Sequence, residues 1–268
     1  MLILYENPRF HADFPGLWFA ERLEWSGFNN ALQYPCGECM KIKIISHVTS
    51  ETLFELEEEG NTLARTVQAA ILAGIDLGGA VLNGLVWPEA DLQKINLAGS
   101  VLQGANLRQA DLTRINLAGS NLTGAILQKA ILKEANLQRS LLVRADLSKA
   151  DLQGASLRWS DIRGAYLAWA NLAGADISAT ILQGANLQGA ELAGVNLAAT
   201  NLAAASLAGA NLVGANLAGA ILQGANFRKA RMEGANLEGA IMQGTDFDGA
   251  IWDSKTYLGD EVTPKDGN

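Results

Sequence analysis

Only a few residues in this chain have the type and spacing to do chemistry. Cys36 and Cys39 form a Cys-x-x-Cys, the spacing of half a zinc site or of a redox pair. A structural zinc takes four ligands, and no second pair follows. His11 and His47 are the only histidines, and neither has a ligand-like partner nearby. The aspartates, such as Asp111 and Asp151, recur at fixed spacing and pair with no histidine. The glycines also recur at fixed spacing, so they follow chain geometry and not a phosphate-binding loop. No catalytic constellation, metal or cofactor is expected, and an enzyme housed in residues 1–69 has nothing to support it. The expected protein is non-catalytic.

The elements that carry these residues are read most easily in fives. A leucine, or a large apolar substitute, falls at every position ending in 2 or 7 from Leu72 to Trp252, which makes 37 consecutive units without a slip. The substitutes are Trp87, Ile162, Ile177, Phe227, Met232, Met242, Phe247 and Trp252. A strict short period is the sequence sign of a solenoid. With 6% aromatic residues and 28 glycines, the core must be narrow and built of small units.

A second period is hidden in the first. The small position two before each leucine reads Ser100, Ser120, Ser140, Ser160, Thr180, Thr200 at every twentieth residue. A second column, from Ala70 to Ala250 in steps of 20, is alanine throughout, and a third begins Ile75, Ile95, Ile115. A period of five alone would scatter these residues, so residue n stacks on residue n + 20. The hydroxyls then form a buried structural ladder, and buried hydroxyls need partners, either in the next coil or on the backbone. Asn or Asp before each leucine favours turns through local bonds to the backbone. The recurrent glycine accepts turn dihedrals that bulkier residues resist.

The motif Ala-(Asp/Asn)-Leu-x-Gly, as in Ala150-Asp-Leu-Gln-Gly154 and Ala210-Asn-Leu-Val-Gly214, resembles the pentapeptide-repeat family. The resemblance covers about two thirds of the chain. It implies an all-β solenoid, a right-handed quadrilateral β-helix in which four pentapeptides make one 20-residue coil. Leucine and the small residue two before it would point inward. The 37 units then make about nine coils, a rod on the order of 45 Å long at ~4.8 Å per stacked strand.

The flanks differ from the rod. Residues 1–39 show no clear period and form an N-terminal extension, with a short helix expected over 17–23. Residues 40–69 read as a small α+β cap. Lys41-Ile-Lys-Ile-Ile alternates like a half-buried strand, Val48–Thr52 is a turn, and Leu53–Glu57 is a second strand. A helix follows over 62–74, capped by Asn61 or Thr62. This segment would cover the open strand edge of the rod. Met40 is an alternative initiator. Residues 70–254 are the β-helix, and 255–268 a C-terminal cap and tail, with Phe247, Trp252, Tyr257 and Leu258 closing the last coil. In some members of the family this end forms a homodimer.

Function is expected on the outward positions. Residues 1–69 carry a net charge of −5, 70–253 a net −2 and 254–268 a net −1. The middle of the rod is nonetheless basic, with Lys94, Arg108, Arg114, Lys129, Lys133, Arg139, Arg144, Lys149, Arg158 and Arg163 against five acidic residues. These occupy all four sides with the acidic residues interleaved, whereas nucleic-acid binding needs a concentrated patch; no nucleic-acid partner is expected. A row of aliphatics replaces the usual Asn or Asp at Val81, Val101, Leu141, Ile181, Ile221 and Ile241, a candidate surface for an unidentified protein partner. Trp159 and Trp169 face outward on other sides. From the family resemblance comes an alternative, the DNA-mimicking modulators of DNA gyrase and topoisomerase IV. They would need acidic residues along the rod, which its basic middle opposes. No basic leader and no apolar run of membrane-spanning length is seen, so no membrane contact and a cytoplasmic location are expected.

Overall fold

The computed structural model describes residues 5–6 and 39–257. Cys36, His11, Leu258 and the helix expected over 17–23 lie outside them. Strand β1 (Tyr5–Glu6) pairs antiparallel with β2 (Cys39–Ile45), and β2 pairs antiparallel with β3 (Thr52–Glu59). The alternation in β2 buries Ile42 and Ile44 completely. The turn is tied by Ser46, whose hydroxyl accepts the Val48 and Thr49 N–H groups at 3.2 Å each.

Helix α1 (Leu63–Leu72) is capped by Thr62, which accepts the Arg65 N–H at 3.2 Å. Of the two cap candidates, the other has a different role. Asn61 is buried; its amide donates to the Leu56 carbonyl at 2.8 Å and to the Met40 carbonyl at 3.3 Å, and its oxygen accepts the Thr66 hydroxyl at 3.2 Å. Asn61 thereby locks the helix start onto the hairpin.

The rod begins later than the leucine period suggests. Ala70 and Leu72 belong to α1, and Leu72 is 77% exposed. The helix takes the first of the 37 units, because its apolar face needs Leu63, Val67 and Ala70. Leu77 is the first leucine of the period to be buried. The hairpin joins here. Ser46 bridges Ala80 antiparallel, Val81 N–H donates to Ile45 at 2.8 Å, and His47 N–H donates to Gly79 at 2.9 Å.

From Val81 onward the bridges are parallel and join n to n + 20 without exception as far as Arg231↔Ile251. Leucines from Leu77 to Leu237 line the axis, as do the alanines two before them. Each pentapeptide has five N–H groups to satisfy, and residues 121–125 show how. Asn121 N–H donates back to Ser100, Leu122 N–H forward to Leu141 and Gly124 N–H forward to Val143, at 2.7–2.9 Å. Ala125 N–H closes the corner onto Leu122 at 2.9 Å. Thr123 N–H has no backbone partner and donates to the Asn121 side chain at 3.0 Å. An unpaired backbone group is costly, so this is the reason Asn or Asp precedes leucine so often.

The buried hydroxyls bond within their own coil. Ser120, Ser140, Ser160, Thr180 and Thr200 each donate to the carbonyl three residues back, Ser120 to Leu117 at 2.7 Å. Ser100 Oγ is the exception among the described residues and has no partner. The ladder between coils lies outside instead, where Asn136, Asn116 and Asn96 donate in turn to Asn116, Asn96 and Asp76 at 3.2, 2.9 and 2.8 Å.

At the far end the core widens. Phe227, Phe247 and Trp252 stack with centroids 5.3 and 5.2 Å apart. The last bridge, Asn236↔Tyr257, steps 21 residues instead of 20. The extra residue is absorbed by Asp253, which accepts the Gly234 N–H at 2.9 Å and the Lys255 N–H at 3.0 Å. These bonds, the Gly234 one foremost, hold the Asp253 carboxyl below its usual pKa.

Leu152→Ala should cost ~2–5 kcal/mol in chemical unfolding. Ser160→Ala should cost about 1 kcal/mol, because the Ser160 hydroxyl is bonded. Ser100→Ala should be neutral or stabilising, since it removes a buried hydroxyl without a partner. Equal losses at the two serines would contradict this hydrogen-bond assignment.

Candidate interaction surface

From Val86 on, the residue before leucine is half-buried or exposed, the two after leucine form the outer wall and corner, and the rest is largely core. The corner residue has a left-handed backbone wherever it stands. Gly104, Gly124 and Gly154 have φ of 65–69°, which glycine adopts freely. Lys94, Arg114, Lys129, Arg139, Arg144, Lys149, Trp159 and Trp169 occupy the same slot with φ of 56–62°. For an L side chain this conformation costs about 1 kcal/mol or more. The long basic and aromatic residues of the middle rod therefore sit where glycine would be cheaper. The signal was present in the sequence as non-glycines at positions ending in 4 or 9; its meaning depends on the backbone angle.

Ion pairing divides the basic residues. Arg114 grips Glu134 one coil on, at 2.7 and 3.2 Å. This hydrogen-bonded pair lowers the Glu134 pKa and raises that of Arg114. Lys133 pairs with Asp151 at 3.2 Å, Arg158 with Asp176 at 3.6 Å and Arg163 with Asp161 at 2.6 Å. Hydrogen bonding from Arg163 likewise depresses the Asp161 pKa. Among the described residues, Lys94, Arg108, Lys129, Arg139, Arg144 and Lys149 have no carboxylate within ion-pair distance.

The aliphatic row is interrupted. Leu141, Ile181 and Ile241 are exposed, while Val101 and Ile221 are half-buried. Val81 is only 4% exposed, where the hairpin joins the rod. The bridge order is Leu141, Asp161, Ile181, Asn201, Ile221, Ile241, so polar residues alternate with aliphatics over most of its length. An aliphatic here also offers no acceptor to the N–H two residues on.

Two tryptophans stand out from the walls. Trp159 is 48% exposed, with the Arg139 and Arg158 guanidiniums over its ring at 5.2 and 4.6 Å from the centroid. Trp169 is 62% exposed and shares its pentapeptide with Tyr166, 53% exposed. Its ring lies against the Gly189 corner, where a Cβ would come within 2.6 Å. No group of three or more His, Cys, Asp or Glu among the described residues is placed to hold a metal. No helix among them is long and apolar enough to cross a membrane.

The four-sided stack with its n to n + 20 bridges coincides with a known repeat. Residues 90–251 match the pentapeptide repeats family in eight overlapping copies. The chain belongs to the pentapeptide-repeat family. Pentapeptide-repeat proteins form right-handed quadrilateral β-helices, which sets the hand of this solenoid. Solved pentapeptide-repeat structures similar to it include HetL of the cyanobacterium Nostoc sp. strain PCC 7120, involved in heterocyst differentiation regulation. It is 29% identical over 69% of this chain and 93% of that one, with a TM-score of 0.26. QnrB1, a plasmid-mediated fluoroquinolone resistance protein, is 22% identical over 65% and 90%, with a TM-score of 0.44. Rfr23 of the cyanobacterium Cyanothece 51142 is 21% identical over 73% and 99%, with a TM-score of 0.19. No curated protein sequence matches the chain.

Gly189→Ala and Gly209→Ala test the seat of Trp169. Both glycines have positive φ and both variants should lose about 1–2 kcal/mol. Only Gly189→Ala meets the ring, because Gly209 faces open space. Its tryptophan fluorescence should shift relative to wild type, and that of Gly209→Ala should not.

Proposed function

We propose that the chain is a non-catalytic scaffold of about nine coils whose outer walls bind another protein. The observation that carries this reading is the exposure of Trp159, Tyr166, Trp169, Leu141 and Ile181 on one rigid stretch of rod. Aromatic and arginine side chains dominate protein contacts, the aromatics at low entropy cost, and a stacked β-helix presents them on a rigid backbone. In the same proposal, the hairpin and α1 close one end of the rod and the segment around Phe247, Trp252 and Tyr257 closes the other. A homodimer through that second end would bury Ile251 and Tyr257, which are 52% and 47% exposed.

Mimicry of duplex DNA, with gyrase or topoisomerase as partner, is the second reading. It draws on the family alone and is opposed by the unpaired cations in mid-rod.

The two readings separate in paired experiments. Affinity purification with wild type should yield a stoichiometric protein that Leu141→Asp/Ile181→Asp loses, with both baits equally folded by circular dichroism. An unchanged partner set would remove these walls from the interface. In a gyrase supercoiling assay, no effect of the protein at micromolar concentration is expected; clear inhibition or protection would favour mimicry.

A further inference from the structure

The corner residues of two neighbouring coils form a pattern that the scaffold reading does not require. One coil carries Arg139, Arg144 and Lys149 on three successive corners. The next coil carries Trp159, Gly164 and Trp169 on the same three corners, each 20 residues on. All the non-glycines among them hold positive φ and all are exposed. Arg139 thus lies over the Trp159 ring, and Lys149 occupies the corner one coil before Trp169, whose ring leans onto Gly189. Tyr166 is exposed on one of the two walls between.

Left-handed strain is not confined to this patch, since Glu89, Gln109, Ala179, Ala199 and Ala204 share it, so the residue types and not the strain set the patch apart. Here it recurs at five corners of one patch, and every strained residue is a cation or a tryptophan. The charge balance of the patch is positive. Of the carboxylates on its walls, Asp161 is held by Arg163, which leaves Asp146 against three cations without an ion pair.

We propose that this patch is a docking site for an acidic protein segment, whose carboxylates meet Arg139, Arg144 and Lys149 and whose apolar side chains lie against Trp159, Tyr166 and Trp169. The inference rests on the scaffold reading and names the chemistry of the partner. Single-stranded nucleic acid is the competing occupant, because it too uses cations and aromatic rings. It is disfavoured by the geometry. The cations stand at the edges of two flat walls and line no groove that would track a phosphate backbone.

The test uses the full chain and a fluorescein-labelled peptide of alternating glutamate and leucine, read by anisotropy. Saturable binding is expected. Arg144→Gly/Lys149→Gly should weaken it at least about tenfold, while its melting temperature stays equal or rises, because glycine relieves the strained corners. Trp159→Ala should weaken it by a similar factor. Lys229→Gly, in the same corner column as Lys149 but four coils on, should leave binding unchanged. The proposal is overturned by absence of saturable binding at millimolar peptide, by equal binding to the Arg144→Gly/Lys149→Gly variant, or by an equal loss in Lys229→Gly, which would mean diffuse charge attraction. Tighter binding of labelled oligothymidylate than of the peptide also overturns it, in favour of nucleic acid. Leu141 lies on a wall of the patch, so the wild-type results separate the two readings: peptide binding without a purified protein partner counts against the scaffold reading alone, and a purified partner without peptide binding counts against the patch alone.

Discussion

Everything in the rod depends on one constraint: a chain that turns a corner every five residues must still place every backbone N–H. Two of the five reach forward to the next coil, one reaches back and one closes the corner. The fifth has no backbone acceptor and takes a side-chain oxygen from the residue two before it. That single deficit explains why Asn and Asp recur in a position that faces solvent, where no packing argument would demand them. It also explains why the departures matter. A position that gives up the Asx oxygen for Leu141 or Ile181 loses a local bond, and a corner that gives up glycine for Arg144 or Trp169 takes on strain. The strained corners are densest between Glu89 and Trp169, whereas aliphatics in place of the Asx residue run from Val81 to Ile251.

The interior, by contrast, is forgiving in chemistry and strict in phase. Leucine, isoleucine, phenylalanine and methionine all enter the same columns, since each fills the axis with apolar volume. The hydroxyl column is tolerated because each Oγ turns back to a carbonyl of its own coil and asks nothing of its neighbours. Ser100 shows that even this is not always met. Stability therefore comes from repetition of nearest-neighbour stacking, which leaves the outer residues free to vary.

The solenoid and its 20-residue coil were legible from the sequence because side chains of one type segregate into columns, and only stacking does that. The hairpin and helix were legible from alternation and a capping threonine. Leu72 was misleading because a five-residue period and a helix can both place a leucine there; the apolar face of α1 decides the matter. The choice between Asn61 and Thr62 was invisible, since both are good caps and only the buried carbonyls of Met40 and Leu56 distinguish them. On the surface, the aliphatic row and its polar gaps at Asn121, Asp161 and Asn201 were readable, but not the Asp161–Arg163 pair or the burial of Val81. The corner cations were seen as charges and not as strained residues, because charge is a property of the residue and φ a property of the fold.

Four identical sides also give the rod an angular coordinate. Inserting a whole coil of 20 residues lengthens the rod and leaves every wall facing as before. Inserting a single pentapeptide keeps the backbone pattern but slides the serine, alanine and isoleucine columns past one another, and it turns everything downstream by a quarter revolution. The direction in which the Arg139 to Trp169 corners face, relative to the hairpin docked on Gly79 and Ala80, is therefore set by the number of pentapeptides between them, counted in fours. Members of such a family can re-aim a surface without altering one residue of it, simply by changing the spacer length.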